Sequence, residues 1–265
     1  MSMDENYIPP APAYECALSI LGVRVNCVSV ADVHRFIERV IEGHERALIL
    51  HLNVHCVNLC LKHHWLKNFI NQAQMVFCDG DGVRWGARIL GRDVPPKITY
   101  DRWIWQLCEF AQRKGFRLYF LGGKPGVATA AAAKIRERLP NVKIVGAHHG
   151  YFDKAGDENE LVIAGINQAS PDIVILGFGM PIQERWLQNN WERIFAHIFL
   201  TGGAVFDYAS GNAKRAPAWM IRFQLEWLHR FLSDPQRLLV RYVWGNPLFI
   251  FKVFQEKLTL RRAPK

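Results

Sequence analysis

Six short apolar runs, Ala47–Leu52, Met75–Cys78, Phe116–Leu121, Val142–Val145, Ile173–Leu176 and Ile198–Leu200, constrain this chain more than any other feature. Each is the length of a strand, and most are separated by segments of helical spacing. Strands that alternate with helices wind around a largely parallel sheet. The expected class is therefore α/β: a Rossmann-like, mostly parallel sheet flanked by helices, with a helical basic C-terminal appendage. Ahead of the repeat, Leu18 to Val28 alternates like a short strand pair, and Val30 to Ile41 has helical spacing behind Ser29, a residue type suited to an N-cap. With 265 residues, 50% of them hydrophobic, the chain can bury one sizeable α/β core.

In open α/β sheets ligands bind outside the carboxyl ends of the strands. The residues just past the expected strand ends are Asn53, Asp79-Gly80, Gly122-Gly123, Gly177-Phe178-Gly179 and Gly202-Gly203, and these loops should converge on one site. In Asp79-Gly80-Asp81-Gly82 a carboxylate at a strand exit can serve as general base toward a substrate hydroxyl, with glycines admitting the ligand close to the backbone. The same residues also spell DxD, the metal-holding signature of many nucleotide-sugar transferases, and a plain Asp-Gly turn has the same spacing. By spacing alone all three readings stand. Leu121-Gly122-Gly123-Lys124-Pro125-Gly126 opens an Ala-rich helix whose first N–H groups could face phosphate, although it is neither a Walker A loop nor GxGxxG. Gly177-Phe178-Gly179-Met180-Pro181-Ile182-Gln183-Glu184 puts Gln183 and Glu184 in the first turn of a helix. There Gln183 could hydrogen-bond a sugar or base, or simply cap the helix.

The formal net charge of +9 is concentrated at one end. From Lys214 to Lys265 eleven Lys and Arg stand against three acidic residues, a local excess of eight, and nine aromatic residues are interleaved with them. After Pro217 the pattern becomes helical pieces expected to break at Pro235 and Pro247, with Leu225, Leu228, Phe231 and Leu232 at helical spacing. Cations beside rings suit an anionic lipid surface or a lid over phosphates. They would also suit single-stranded nucleic acid, a non-catalytic binding role in which the glycine-rich loops have no task. A nucleotide-cofactor oxidoreductase would need GxGxxG and a later acidic partner, and the chain has neither.

Met1 to Ala13 lacks the basic and apolar regions of a signal peptide, and no run of eighteen apolar residues occurs, so a cytoplasmic location is expected. The six cysteines form no CxxC pair and read as reduced, mostly buried thiols. Cys56, Cys60, His63 and His64 fall on one side of a helix by spacing. Four ligands on one straight helix cannot easily surround a tetrahedral zinc, so a core-facing stripe is the expected reading.

The ordered set Asp79-Gly80, Leu121-Gly122-Gly123-Lys124-Pro125-Gly126, Gly150-Tyr151-Phe152, Gly177-x-Gly179-x-Pro181-x-Gln183-Glu184, Gly202-Gly203 with Phe206-Asp207, Gly211 with Arg215-Ala216-Pro217, and Leu225-Glu226-Trp227 with Arg230, Pro235, Arg237 and Arg241-Tyr242 resembles the WecG/TagA/CpsF glycosyltransferases, family 26, whose fold is called GT-E. The resemblance runs from about Leu18 to Tyr242. It implies an inverting, metal-independent transfer, without cofactor, from a UDP-sugar donor to a polyprenyl-diphosphate-linked saccharide acceptor at the inner face of a bacterial membrane. It makes Asp79 the base, places Gln183 by the donor and acceptor pocket with Glu184 beside it, and sets Arg230, Arg237 and Arg241 to close over the diphosphate and help dock the membrane surface. Asp81 matches a position that varies among members, which argues against the metal pair. Where many members have Arg-x-Thr-Gly, this chain has Lys97-Ile98-Thr99-Tyr100, keeping a charge but losing the planar two-pronged donor. Lys97 and Thr99 join Asn53, Gly122, Gly123, Gly179, Gln183, Glu184 and the three arginines as expected substrate-binding residues, and the donor is N-acetylmannosamine or, as in some exopolysaccharide relatives, glucose. The expected organisation is a flexible N-terminal segment at 1–17, a glycosyltransferase core at 18–217 and the appendage at 218–265. No nucleic acid is expected as partner, and an exposed apolar helical stripe could support a homo-oligomer.

Overall fold

A computed structural model describes residues 8–223, 225–233, 239 and 243–262. A two-stranded antiparallel hairpin, β1 (Ala17–Ile20) and β2 (Val23–Asn26), precedes α1 (Val30–Glu42). Ser29 caps α1 through a reciprocal pair: its hydroxyl accepts from the Asp32 amide at 3.3 Å, and the Asp32 carboxylate accepts from the Ser29 amide at 2.8 Å. Six parallel strands follow: β3 (Ala47–Leu52), β4 (Met75–Cys78), β5 (Arg117–Gly122), β6 (Lys143–His148), β7 (Ile173–Gly177) and β8 (Ile198–Thr201). Their order across the sheet is β4-β3-β8-β7-β5-β6.

The strands are mostly apolar because most of them feed two cores. Ile49, Phe77, Phe120, Ile175 and Leu200 pack with α1, α5 (Tyr100–Lys114), α6 (Val127–Arg138) and α9 (Val205–Ser210) on one face. Their neighbours Leu50, Val76, Leu121, Leu176 and Phe199 pack on the other face with α2 (Val54–Lys62), α3 (His64–Gln72), α4 (Asp81–Ile89), α7 (Gly156–Ala169) and α8 (Ile182–Asn190). Full burial of each such side chain contributes about 1.5–3 kcal/mol. Winding runs from β5 outward to β6 but from β7 inward to β8. The two connections therefore leave the β5/β7 boundary in opposite directions, the topological switch at whose carboxyl ends open α/β sheets bind ligands.

The expected strand pair, first helix and six strands are all present, with edges moved by up to three residues. The largest shift is at β6, which runs on to His148; the Tyr119 ring lies where a Cβ at Gly146 would sit, and the β5/β6 register slips at Leu118/Tyr119. Three other expectations change. The helix carrying Cys56 and Cys60 stops at Lys62: His63 is extended, α3 starts at His64, both histidines are exposed, and the two cysteines face the core. Residues 8–16, expected within a flexible segment, are tied down, for Ala11 is buried and its amide donates to Arg46 O at 2.8 Å while Tyr14 donates to Gln74 O. Pro247 does not break the final helix, α12 (Gly245–Arg262), but lies near its start. Between the core and α12 lie α10 (Ala218–Arg222) and α11 (Glu226–Ser233); Pro235 is outside the described residues.

The final helix is part of the core. Phe249 and Val253 are fully buried, and Phe249 fills the space left by Gly86, where a Cβ would come within 2.8 Å of its ring. Glu256 accepts from the Leu21 amide at 2.8 Å and from Arg92 at 3.2 Å. Among the described residues no helix is long and apolar enough to cross a membrane.

Candidate active site

Asp79 follows β4, and its amide donates to Leu52 O at 2.8 Å, extending the β3/β4 ladder to the sheet rim. Gly80 then takes φ 118°, ψ 157°, a conformation essentially confined to glycine, and turns the chain into α4. The Asp79 carboxylate keeps 16% of its surface exposed, so it is held by the fold yet reachable. Its neighbour Asp81 is engaged: Lys97 Nζ lies 2.8 Å from one oxygen and Arg84 Nη1 3.1 Å from the other. A divalent ion bridging Asp79 and Asp81 would have to compete with at least one of these cations for an Asp81 oxygen.

Lys97 and Thr99 reach this corner because the Ile98 amide donates to Cys78 O at 2.9 Å, laying their segment beside the β4 exit. Thr99 is the N-cap residue of α5 and Tyr100 its first helical residue. The Tyr100 hydroxyl is buried with no hydrogen-bond partner, and burial, then the charge of Asp79, pushes it well above the usual phenol range. Asn53 caps α2, its side chain accepting from the Cys56 amide at 3.0 Å.

His51, which the sequence reading passed over inside an apolar strand, completes this corner. It points from β3 with a side chain only 5% exposed, its Nδ1 2.6 Å from Thr201 O and its Nε2 4.0 Å from Asp79 Oδ2. The available signal was one ring nitrogen pair in an otherwise aliphatic run, two residues before Asn53.

A second cluster forms at the exits of β5, β7 and β8. Gly122 is packed so closely on β7 that a Cβ would lie 2.5 Å from Gly177 Cα, and Gly123 donates to Gly177 O at 3.0 Å. Gln183 is fully buried: its Oε1 accepts from Gly179 at 3.3 Å and Gly203 at 3.1 Å, and its Nε2 donates to Glu184 at 2.7 Å. The polar group expected to face a sugar is thus mostly committed to bracing two loops. Glu184 is also buried, with one oxygen lacking a partner, and burial raises its carboxyl to about 7.

The structure therefore sorts the expected residues into two groups on one rim: Asn53, Asp79, Lys97 and Thr99 at β3/β4, and Gly122, Gly123, Gly179, Gln183 and Glu184 at β5/β7. The end of β8 joins them, since Thr201 meets His51 and Gly203 meets Gln183. Arg230 lies in α11, while Arg237 and Arg241 fall outside the described residues. Arg215, at the entry to α10, pairs with the nearly buried Asp101 at 2.7 Å and so fixes where the C-terminal region leaves the core.

These features define a doubly wound α/β protein that presents an accessible acid and a set of glycine-rich loops along the carboxyl ends of its strands. The model of the glycosyl transferase WecG/TagA/CpsF family matches residues 18–263, and the chain belongs to that family. It is 33% identical over 169 residues to the N-acetylglucosaminyldiphosphoundecaprenol N-acetyl-beta-D-mannosaminyltransferase of Bacillus subtilis (strain 168), covering 63% of this chain and 64% of that one. To the enzyme of the same name from Staphylococcus aureus (strain MRSA252) it is 27% identical over 215 residues, 81% and 82% of the two chains.

Proposed function

We propose that this glycosyltransferase moves a sugar from a UDP-sugar onto a saccharide carried by a polyprenyl diphosphate, with inversion and without a divalent metal, at the inner face of a bacterial membrane. The observation that carries the reading is the division of labour at the Asp79-Gly80-Asp81 turn. Asp79 is reachable while Asp81 is neutralised by Lys97 and Arg84, the arrangement of a base beside a structural ion pair. The named activity of the two relatives supports an acceptor of the diphosphoundecaprenol class and an N-acetylmannosamine donor. Lys97 and Tyr100 leave glucose open as the donor.

In this mechanism Asp79 takes the proton of the acceptor hydroxyl as its oxygen attacks the anomeric carbon from the face opposite UDP. The donor lies across the strand ends, where β4 and β7 are three strand spacings apart, roughly 14 Å. Negative charge grows on the departing diphosphate, and Arg230, Arg237 and Arg241 neutralise it from the C-terminal region through paired hydrogen bonds. The outward stripe of α12 supports membrane seating: Phe251, Phe254 and Leu258 are exposed opposite the buried Phe249 and Val253, with Lys252 and Lys257 on its shoulders and the exposed Trp244 just ahead of the helix. The test is Asp79→Asn assayed with a lipid diphosphate acceptor. Turnover should fall by a factor on the order of 10² to 10⁴ with UDP-sugar binding retained, and full activity in this variant would overturn the assignment.

A further inference from the structure

His51 has no part in the mechanism above, yet its geometry is directed at the base. A backbone carbonyl only accepts, so the 2.6 Å approach of Nδ1 to Thr201 O places the proton of a neutral imidazole on Nδ1. The Thr201 hydroxyl, 3.1 Å from the same nitrogen, completes this anchor. Nε2 then turns a lone pair toward Asp79 Oδ2, 4.0 Å away. A lone pair facing an ionised carboxylate is an unfavourable arrangement that one proton converts into a hydrogen bond.

Resting on the reading of Asp79 as base, we propose that His51 is a positioning residue that makes Asp79 a better proton acceptor in the transition state. As the acceptor oxygen bonds to the anomeric carbon and the bond from that carbon to the UDP oxygen breaks, the hydroxyl proton passes to Asp79. There Asp79 and His51 Nε2 share it in a hydrogen bond before it leaves to water. The resting pair gains nothing from this contact, so the stabilisation is specific to the protonated state, and the effect falls on turnover rather than on substrate binding. Among the described residues, the groups beside this pair include Tyr100 from α5, a buried hydroxyl that stays neutral, the Cys78 thiol from β4, which burial and the charge of Asp79 keep neutral, and Thr201 from β8. Asp81 from α4 is already matched by Lys97 and Arg84.

Two measurements test this. In ¹⁵N-resolved NMR of the resting protein at neutral pH, His51 should show the Nδ1–H tautomer; an Nε2–H tautomer or a doubly protonated ring would overturn the proposal without involving activity. Then His51→Asn, which keeps a donor near Thr201 O but offers nothing in place of Nε2, should lower kcat roughly tenfold or more with donor KM within about twofold. It should also displace the acidic limb of the kcat–pH profile. In an Asp79→Asn background the same change should cost nothing further, because the proton has no base to reach. Equal losses in both backgrounds would reduce His51 to a packing role. A fully active Asp79→Asn would instead remove the base assignment itself, a separate failure.

Discussion

The buried Gln183 side chain holds the Gly203 amide at 3.1 Å, tying the exit of β7 to the exit of β8. Because the same oxygen also accepts from Gly179, one amide group fixes two left-handed glycines at the strand exits. Gln183→Leu would strand both N–H groups at a cost of about 1–3 kcal/mol, lowering Tm by about 2 °C or more. Donor KM should rise with it. An unchanged melting curve would show that the brace is not needed.

A half-buried histidine and a buried carboxyl give stability opposite slopes against pH. Burial, helped by the charge of Arg113, lowers His34 to about 4, and its Nε2 accepts from Trp103 Nε1 at 3.0 Å. Its contribution is complete above pH 6.5 and is lost as pH falls toward 4, since the unfolded chain binds the proton first. Glu184, raised to about 7, contributes fully below pH 4.5 and loses its contribution as pH rises through 7. Glu184→Gln should therefore raise Tm by about 4 °C or more at pH 8, change it little near pH 4.5, and expose the acid sensitivity set by His34. Thermal scans from pH 4 to 8 read both slopes, and a variant no more stable at pH 8 would contradict this account.

The ion pairs on Asp81 predict how the enzyme responds to metal. Transfer should survive a chelator, and Asp81→Asn should remain within about tenfold of wild type, far above Asp79→Asn. Activity abolished by chelation and restored by manganese would instead make the two carboxylates a metal pair.

Phe249 and Phe251 stand two residues apart on α12 with different tasks. Phe249→Ala empties a core position and should cost about 3–5 kcal/mol, opening α12 to protease. Phe251→Ser, at an exposed position, should leave Tm near wild type but weaken cosedimentation with anionic vesicles. If both variants bound vesicles as wild type does, the outward stripe would have no membrane role.

Much of this fold is legible in the sequence because a strand covered on both faces is apolar at nearly every position. Ala47–Leu52 and Met75–Cys78 appear at the ends expected of them. Asp79 and its glycine hinge are legible for a related reason, since few residue types tolerate a φ of 118° at a strand exit. What composition cannot carry is the direction of a side chain. Gln183 looks like a ligand contact until two amides from separate loops are found on it, and His51 looks like core until Thr201 arrives from β8 to orient its ring. The docking of α12 is equally hidden, for its aromatic residues are alike in type, and only the gap at Gly86 selects Phe249 to turn inward.

The hydrogen bond from Leu21 to Glu256 spans 235 residues of chain. On a ribosome the N-terminal hairpin emerges long before the helix that finishes its packing. Until that helix arrives, the apolar patch around Gly86 is open to any nonpolar visitor, so nascent chains stalled before α12 should be the ones that chaperones hold and proteases clear.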